Sequence, residues 1–517
     1  MDKVDQLSRI DTPPVSFERN LLTIAKGGSI VYGGKLFLAL SRLVTVFLLA
    51  RILSAEQYGL YNLALSTATV AMGIALLGLD DALVRYIAIY ASRRDEGGIW
   101  GALQVCVGFS TLLSVVTGTG LFALAYPISE LVFRKPELAP LLQVTSTIIP
   151  FLVLSEVLAG ATRGFNKMHY MVIAQHIAQP VIRFVLILIV SLTGLNPTWA
   201  ILTFGIADGA ASILFLIFLR KHLPVERTLS VNRQNIKTLF GFSLPLWLSD
   251  LMFNFRTNIQ TILLGSLNTV TSVGIFSVIS QVNVVGQMLF SSIAVSTRPM
   301  IAELHDRGDY KQLGHVYQTT TKWVMMINLP FFLVMVLYPV PVLSIFGKSF
   351  VNGAEALVIL AFANLVNIGT GMCGSIVDMT GYSKLKLLNT FIRLLSSLGL
   401  NILLIPIWGI IGAAFAALFV EIIVNFIILI EIWILFRLVP YNGRFINLLV
   451  AGSAAFIAGF LMNRFFPSRE SLIHLTISLV TTLSFYVFVY LIMGLAPEDR
   501  LLISRLQRRL SAYITSN

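Results

Sequence analysis

The stretch from Leu21 to Leu53 constrains the fold most, because it is apolar and long enough to span a membrane and yet carries charges. A helix rises about 1.5 Å per residue, so this stretch can cross a hydrocarbon core of about 30 Å. Lys35 and Arg42 lie seven residues apart within it, on nearly the same helical face. A cation at membrane depth costs about 3 kcal/mol, so both should face a protein interior or a watery cavity. They are then either structurally paired or snorkelling, or they form a cationic wall for an anionic substrate.

The composition of the chain is typical of a membrane protein. Hydrophobic residues make up 56% of the 517 residues and charged residues only 12%, whereas charged residues are about a quarter of an ordinary globular chain. The apolar runs recur throughout, which predicts an all-α polytopic membrane protein. The net charge of +12 does not indicate a nucleic-acid partner, because the basic residues are scattered between spans. Membrane lipids are the expected surroundings.

Apolar runs and turn residues predict about fourteen spans and their orientation. If both termini are cytoplasmic, 25 of the 37 Lys and Arg residues fall in inner segments and six in outer loops. This positive-inside bias predicts that both termini of a multi-pass protein are cytoplasmic. The expected location is the cell (inner, cytoplasmic) membrane. The spans are approximately 21–51, 56–80, 99–126, 138–161, 168–194, 197–220, 236–265, 270–297, 318–347, 352–377, 384–406, 409–436, 444–465 and 471–494.

The chain also repeats itself. The stretch around Gly59 is similar to that around Gly274, at an offset of 215, and Arg163–Lys167 aligns with Thr380–Lys384 at an offset of 217. An even number of spans separates the copies, so two pseudo-symmetric six-helix lobes share one orientation. The predicted domains are a cytoplasmic tail (1–20), the N-terminal lobe (21–221), a cytoplasmic linker (222–235), the C-terminal lobe (236–437), two appended helices (438–495) and a cytoplasmic amphipathic tail (496–517).

Polar residues inside spans are the candidate substrate-binding residues. Asp250, Asn254 and Asn258 fall on one stripe of span seven, and His176 and Arg183 share a face of span five. At the repeat offsets, Lys35 corresponds to Asp250 and His176 to Arg393. These groups either bind substrate or only hold helices together through hydrogen bonds. The candidate substrate-binding set is Lys35, Arg42, Arg183, Arg393, Asn254, Asn258 and His176.

Acidic residues inside the spans are candidates for coupling transport to an ion gradient. A carboxylate desolvated in a membrane can exchange protons, or can instead pair with a buried arginine. Asp250 is the leading coupling candidate, followed by Glu156, Asp208 and Glu421. Asp80, Asp81 and Arg85 lie at the predicted cytoplasmic end of span two and are candidates for a structural gate. The sequence contains no nucleotide-binding glycine loop, zinc spacing or nucleophile elbow, so we expect no catalytic residue, metal or cofactor.

Several stretches resemble a known family. The opening span, LLARILSAEQYGLYNLALS, GLDDALVRYIA and a repeated aromatic-x-Lys loop are similar to the polysaccharide-transport (Wzx-type oligosaccharide) flippases of the multidrug/oligosaccharidyl-lipid/polysaccharide exporter superfamily. The resemblance implies a V-shaped pair of six-helix lobes around a central cavity. It implies a flippase, not an enzyme, that moves a polyprenyl-diphosphate-linked oligosaccharide from the inner to the outer leaflet by alternating access. Polysaccharide polymerase or glycosyltransferases are further candidate partners.

Two alternatives remain open. A cation-coupled multidrug exporter of the same superfamily should favour acids and aromatics in its pocket, whereas six Lys or Arg residues fall within the predicted spans here. A membrane-embedded glycosyltransferase or polymerase needs catalytic residues on sizeable outer loops. The outer loops predicted here are short, and Asp80 and Asp81 fall on the other side.

Overall fold

The protein is mainly helical over residues 15–221, 233–465 and 472–494, the ranges that the computed structural model describes, and these ranges contain no strand. The first half contains two short π-helical turns, Ile128–Val132 and Val172–Ala178. Its helices are α1 (Val15–Ile52), α2 (Ala55–Leu76), α3 (Leu79–Ser92), α4 (Glu96–Pro127), α5 (Leu138–Gly164), α6 (Met168–Met171), α7 (Gln179–Ser191) and α8 (Pro197–Arg220).

The second half has nine α-helices, among them the longest helix of the described residues, and one 3₁₀ turn, Lys348–Gly353. Its helices are α9 (Arg233–Leu267), α10 (Val270–Asp306), α11 (Tyr310–Leu337), α12 (Pro339–Ser344), α13 (Ala354–Gly369), α14 (Cys373–Met379), α15 (Ser383–Phe436), α16 (Phe445–Phe465) and α17 (Leu472–Ile492).

Local sequence explains where several of these helices begin. The side chain of Asn196 accepts a hydrogen bond from the backbone N–H of Trp199 at the start of α8, and Pro197 follows it at the first helical position. Thr269 caps α10 in the same way, and Asp309 caps α11. These side chains pair backbone donors that a membrane cannot hydrate.

Helix α15 is two helical segments, because the chain reverses direction near Gly409, whose φ is +57°. In a straight helix, Arg393 and Glu421 would be about 42 Å apart at 1.5 Å per residue. Their side chains instead form an ion pair, and Asn389 Nδ2 donates to Glu431 Oε2 over 2.7 Å. The two segments therefore run antiparallel, as the predicted spans 384–406 and 409–436 require.

The second predicted span, 56–80, ends earlier than expected. Helix α2 stops at Leu76, and Leu77 and Gly78 both adopt positive φ angles, 47° and 66°. This left-handed turn breaks the helix. Asp80 and Asp81 consequently occupy the first turn of the separate helix α3, where the helix dipole favours negative charge.

The described helices have the lengths and surfaces of a membrane protein. Ten of them are long and apolar enough to cross a membrane. Large apolar side chains remain exposed along α4, α8 and α15, for example Leu112, Ile213 and Phe426, as expected where helices face lipid. The all-α polytopic fold class is confirmed, whereas fourteen spans remain a prediction.

Contacts between Cα atoms divide the chain into two compact units. The N-terminal unit comprises residues 1–45, 68–126 and 139–254, and the C-terminal unit comprises 46–67, 127–138 and 255–517. The domain boundaries given above remain predictions. Most of the predicted N-terminal tail (1–14), most of the linker (222–232) and the amphipathic tail (496–517) lie outside the described residues.

The core of the C-terminal unit includes the two helices that have no counterpart in the repeat. Buried side chains of α11, α14 and α15 form one cluster with those of α16 and α17. The Tyr338 hydroxyl lies 3.0 Å from Thr482 Oγ1, and Asn463 Nδ2 donates to the carbonyl of Leu337 over 2.8 Å. Helices α16 and α17 are thus packed into this unit.

Candidate functional site

In the N-terminal unit, helix α1 brings charges beside the π-helical turn of the fifth predicted span. A Cβ atom at Gly34 would lie 2.9 Å from Nδ1 of His176, so α1 and this turn pack closely here. His176 is buried, and its Nδ1 has no hydrogen-bond partner among the described residues. Lys35 and Arg42, on the same helix, are exposed and close enough to His176 to interact with it electrostatically.

Polar pairs link the helices that surround this point. Gln175 Nε2 donates to Ser155 Oγ of α5 over 3.4 Å, next to Glu156, and buried Asp208 of α8 lies beside Gln179. The guanidinium of Arg183 on α7 stacks over the ring of Phe204, 4.2 Å from its centroid. The structure therefore brings together three of the predicted residues, Glu156, Asp208 and Arg183, through amide and aromatic partners.

The guanidinium groups of Arg42 and Arg183 repel each other electrostatically. The carboxylate of Glu156 attracts Arg42 and opposes this repulsion. Two guanidinium groups that repel each other are unfavourable unless anions neutralise them. Planar guanidinium groups bind phosphate oxygens through paired N–H donors. This pair is therefore suited to a ligand with more than one negative charge.

The acidic first turn of α3 forms an ion-pair network with α5. Arg163 Nη2 lies 3.4 Å from Asp80 Oδ2, and Arg163 Nη1 lies 3.8 Å from Asp81 Oδ1. The backbone of Asp80 passes so close to Gly160 that a Cβ there would lie 2.5 Å from its carbonyl oxygen. Arg85, the third predicted gate residue, does not join the network, because its guanidinium stacks 4.4 Å from the ring centroid of Phe242.

The predicted polar stripe of span seven lies on α9. Asp250 is exposed, and Asn254 lies against α2, with Nδ2 3.3 Å from a Cβ built on Gly73. Asn258 Nδ2 donates to Thr257 Oγ1 over 3.3 Å. Asp250 and Asn254 belong to the N-terminal unit and Asn258 to the C-terminal unit.

In the C-terminal unit, Arg393 forms an ion pair with Glu421. Asn425 Nδ2 donates to the carboxylate of Glu421 over 2.9 Å, and its Oδ1 accepts from Thr370 Oγ1 over 2.8 Å. Arg256 of α9 lies within electrostatic range of both members of the pair. The sequence predicted Arg393 for substrate and Glu421 for coupling, whereas the structure places them in one network.

Arg393 also lines a cavity of about 360 Å³ within the same unit. Two further cations contribute to this cavity, Arg298 and Lys386, which lie 3.9 Å and 3.1 Å from the carboxylate of Asp378. Sequence reasoning assigned both to cytoplasmic loops and missed them. Their spacing around Asp378 depends on helices far apart in the chain, and nothing in the sequence signals it. No group of His, Cys, Asp and Glu suited to a metal ion occurs in the part of the chain that the structure describes.

The fold, together with the family models that match the chain, identifies a flippase-like transporter of the multidrug/oligosaccharidyl-lipid/polysaccharide exporter superfamily. The chain belongs to the polysaccharide biosynthesis protein family, whose model matches residues 24–305. A second model, MatE, matches residues 245–407.

Curated relatives are similar over part of the chain. The capsular polysaccharide biosynthesis protein CapF of Staphylococcus aureus is 26% identical over 38% of this chain and 50% of its own length. The probable low-salt glycan biosynthesis flippase Agl15 of Haloferax volcanii is 22% identical over 35% of this chain and 39% of its own length. The chain thus spans about half the length, or less, of these relatives.

Solved structures share the fold over most of the chain. The lipid II flippase MurJ in an inward closed conformation matches 90% of this chain and 98% of its own, with a TM-score of 0.72 and 13% identity. An inward-facing multidrug resistance MATE family transporter matches 76% and 93%, with a TM-score of 0.63 and 16% identity. At these identities the likeness shows the fold alone.

Proposed function

We propose that this protein translocates a polyprenyl-diphosphate-linked oligosaccharide, a precursor of a cell-surface polysaccharide, from the inner to the outer leaflet by ion-coupled alternating access. The point that supports this most is the electrostatic repulsion between Arg42 and Arg183 in the N-terminal unit. A diphosphate supplies two adjacent negative charges, which relieve the repulsion between the two guanidinium groups. A cationic drug would increase that repulsion.

The remaining predicted residues have complementary roles in this proposal. Lys35 and Arg393 add positive charge, and Asn254, Asn258 and His176 provide hydrogen-bonding groups for sugar hydroxyls. Asp250 is the leading coupling acid, with Glu156, Asp208 and Glu421 as further candidates. Asp80, Asp81 and Arg85 would act at the gate.

The relatives named as a capsular polysaccharide biosynthesis protein and a probable glycan flippase support the substrate class. The excess of Lys and Arg in the predicted inner segments supports the cell membrane, with both termini cytoplasmic. A polymerase or glycosyltransferases are the partners we would look for first, because they act on the same lipid-linked intermediate.

Transport by purified protein in liposomes tests the proposal, with a fluorescent undecaprenyl-diphosphate-linked oligosaccharide as the probe. We expect Arg42→Ala and Arg183→Ala each to lower the initial rate at least tenfold, because each removes half of the diphosphate-binding pair. Arg307→Ala is the matched control, since Arg307 is exposed and forms an ion pair with Glu303, four residues earlier. Wild-type rates in both Arg42→Ala and Arg183→Ala, at equal protein level, would contradict the cationic site.

The match of the MatE model to residues 245–407 favours a second candidate, a cation-coupled multidrug exporter. The same liposomes distinguish the two functions when loaded with ethidium in place of the lipid-linked probe. Ethidium efflux driven by an ion gradient, without movement of the lipid-linked probe, would favour the exporter.

A further inference from the structure

Three asparagines from three different helices of the C-terminal unit converge on one small cavity. Asn283 lies on α10, Asn328 on α11 and Asn364 on α13, and their side chains line a cavity of about 10 Å³. Their exposed fractions are 6%, 2% and 8%. A cavity of this size holds about one water molecule or one dehydrated ion.

Hydrogen bonds fix the amide orientations of Asn283 and Asn328 at the cavity. Asn283 Nδ2 donates to the carbonyl of Ile279 over 3.2 Å, and Asn328 Nδ2 donates to the carbonyl of Val324 over 3.0 Å. Flipping either amide would place Oδ1 against a carbonyl oxygen, so each orientation is determined. Oδ1 of Asn283, Asn328 and Asn364 has no hydrogen-bond partner among the described residues.

The other residues that line the cavity have apolar side chains, which provide no hydrogen-bond donor to these oxygens. They are Phe331, Phe332, Ala361, Leu365 and Ile368. Gly286 of α10 borders the three amides, because a Cβ there would lie 2.8 Å from Asn364 Nδ2 and 3.0 Å from Asn328 Oδ1. A glycine at this position leaves the amides room that any larger residue would occupy.

Buried acceptors without donors are rare, because each has lost its hydrogen bonds to water. A trapped water has two hydrogens and can satisfy two of the three oxygens, whereas a cation binds all three. No carboxylate is found among the described residues that line the cavity, and Ca²⁺ and Mg²⁺ sites in proteins are built largely from carboxylates and retained waters. Neutral amide oxygens suit a single positive charge.

We propose that Asn283, Asn328 and Asn364 form a binding site for a dehydrated monovalent cation, with Na⁺ as the ion. The site is separate from the carboxylates considered above for coupling, and it does not depend on which substrate the protein carries. Bound Na⁺ links α10, α11 and α13 and stabilises the C-terminal unit.

Thermal unfolding of the full-length protein in detergent tests the site directly. NaCl is titrated against choline chloride at constant ionic strength, with a parallel KCl series. We expect a saturable rise in Tm with Na⁺ that choline does not produce, because a ligand that binds only the folded state stabilises it by mass action. The absence of a Tm response to either Na⁺ or K⁺ would mean that the cavity holds water and would overturn the proposal.

Substitutions test whether the Na⁺-dependent rise in Tm comes from this cavity. Asn328→Leu keeps the side-chain size and removes the oxygen, and should abolish the Na⁺-dependent rise. Asn401→Leu is the matched control, because Asn401 is also buried but does not line the cavity. Its Nδ2 donates to the backbone carbonyl of Ser397 over 2.7 Å, and its Oδ1 has no partner among the described residues. A Na⁺ response that persists in Asn328→Leu overturns the proposal.

If Asn328→Leu does not fold, Asn328→Asp serves the same purpose. A carboxylate at the same place should bind Na⁺ more tightly, so the concentration for half the Tm rise should fall at least fivefold at neutral pH. An unchanged half-saturation concentration would contradict a site at Asn328.

Discussion

The backbones of Gly59 and Gly274 pack directly against each other within the C-terminal unit. A Cβ on either glycine would lie 2.9 Å from the backbone nitrogen of the other. The Gly59 Cβ would also collide with the carbonyl oxygen of Val270, and the Gly274 Cβ with that of Ala55. The contact is reciprocal at the offset of 215 found in the sequence, since Ala55 corresponds to Val270 as Gly59 does to Gly274. Equivalent turns of the two repeats therefore cross at their small residues, as membrane helices commonly do.

This crossing predicts that Gly59→Ala is destabilising. The added methyl group meets backbone atoms, which cannot move aside as a flexible side chain can, so we expect a loss of about 1–3 kcal/mol. Thermal unfolding in detergent measures it. Gly108→Ala is the control, because a Cβ at Gly108 meets nothing within 4 Å. Equal stability of the two variants would show that the close approach is not maintained.

The ion pair between Arg393 and Glu421 predicts that substitutions of the two residues have non-additive effects on stability. Their side chains are only 21% and 23% exposed, so removing one partner leaves a poorly solvated charge, at a cost of up to about 3–5 kcal/mol. Arg393→Met and Glu421→Met should each lower Tm more than the double variant does. If Arg393 also binds substrate, the double variant should regain stability but not transport. Additive losses of stability would contradict a coupled pair.

The network around Arg163 predicts unequal roles for the two adjacent acids of α3. Asp80 is closer to Arg163 than Asp81 is, 3.4 Å against 3.8 Å, and its side chain is less exposed, 18% against 41%. Asp80→Asn should therefore destabilise the protein more than Asp81→Asn, by about 1 kcal/mol or more, since exposed pairs contribute little. Chemical denaturation of both variants measures the difference. A larger effect of Asp81→Asn would reverse this ranking.

Lys135, in the connection between α4 and α5, is expected to stabilise the folded protein. Its ammonium donates to the carbonyl oxygens of Gly265 and Asn268 at the end of α9, the second over 2.8 Å. Burial lowers the pKa of Lys135, whereas the negative charge of Glu137 raises it by a smaller amount. Lys135→Met leaves those carbonyls without their donor, and we expect a loss of about 1–3 kcal/mol.

Lys348→Met is the matched control for Lys135→Met, because Lys348 is exposed and lies in the 3₁₀ turn of the same unit. Thermal unfolding of both variants under one set of conditions gives the comparison. Equal Tm values would mean that the ammonium of Lys135 does not support the end of α9.

Much of the fold was predictable from the sequence because its signals are local. Apolar runs between turn residues predicted helices at the places where α4, α5 and α8 lie. The repeat offset predicted that Gly59 and Gly274 are equivalent positions. The left-handed turn at Leu77 and Gly78 was missed, because an apolar run does not reveal a φ angle, and Asp80 was therefore assigned to the end of a span.

The sequence by itself determined that this chain is a helical membrane protein with charges inside its spans, because hydrophobicity and helical period depend on neighbouring residues. Only the tertiary structure decided how those charges are used. Arg393 pairs with Glu421, Arg183 stacks on Phe204, and the asparagines at 283, 328 and 364 meet at one cavity. Such pairings join residues on different helical segments. They depend on which faces of the helices pack together, and the period of a single helix does not specify that.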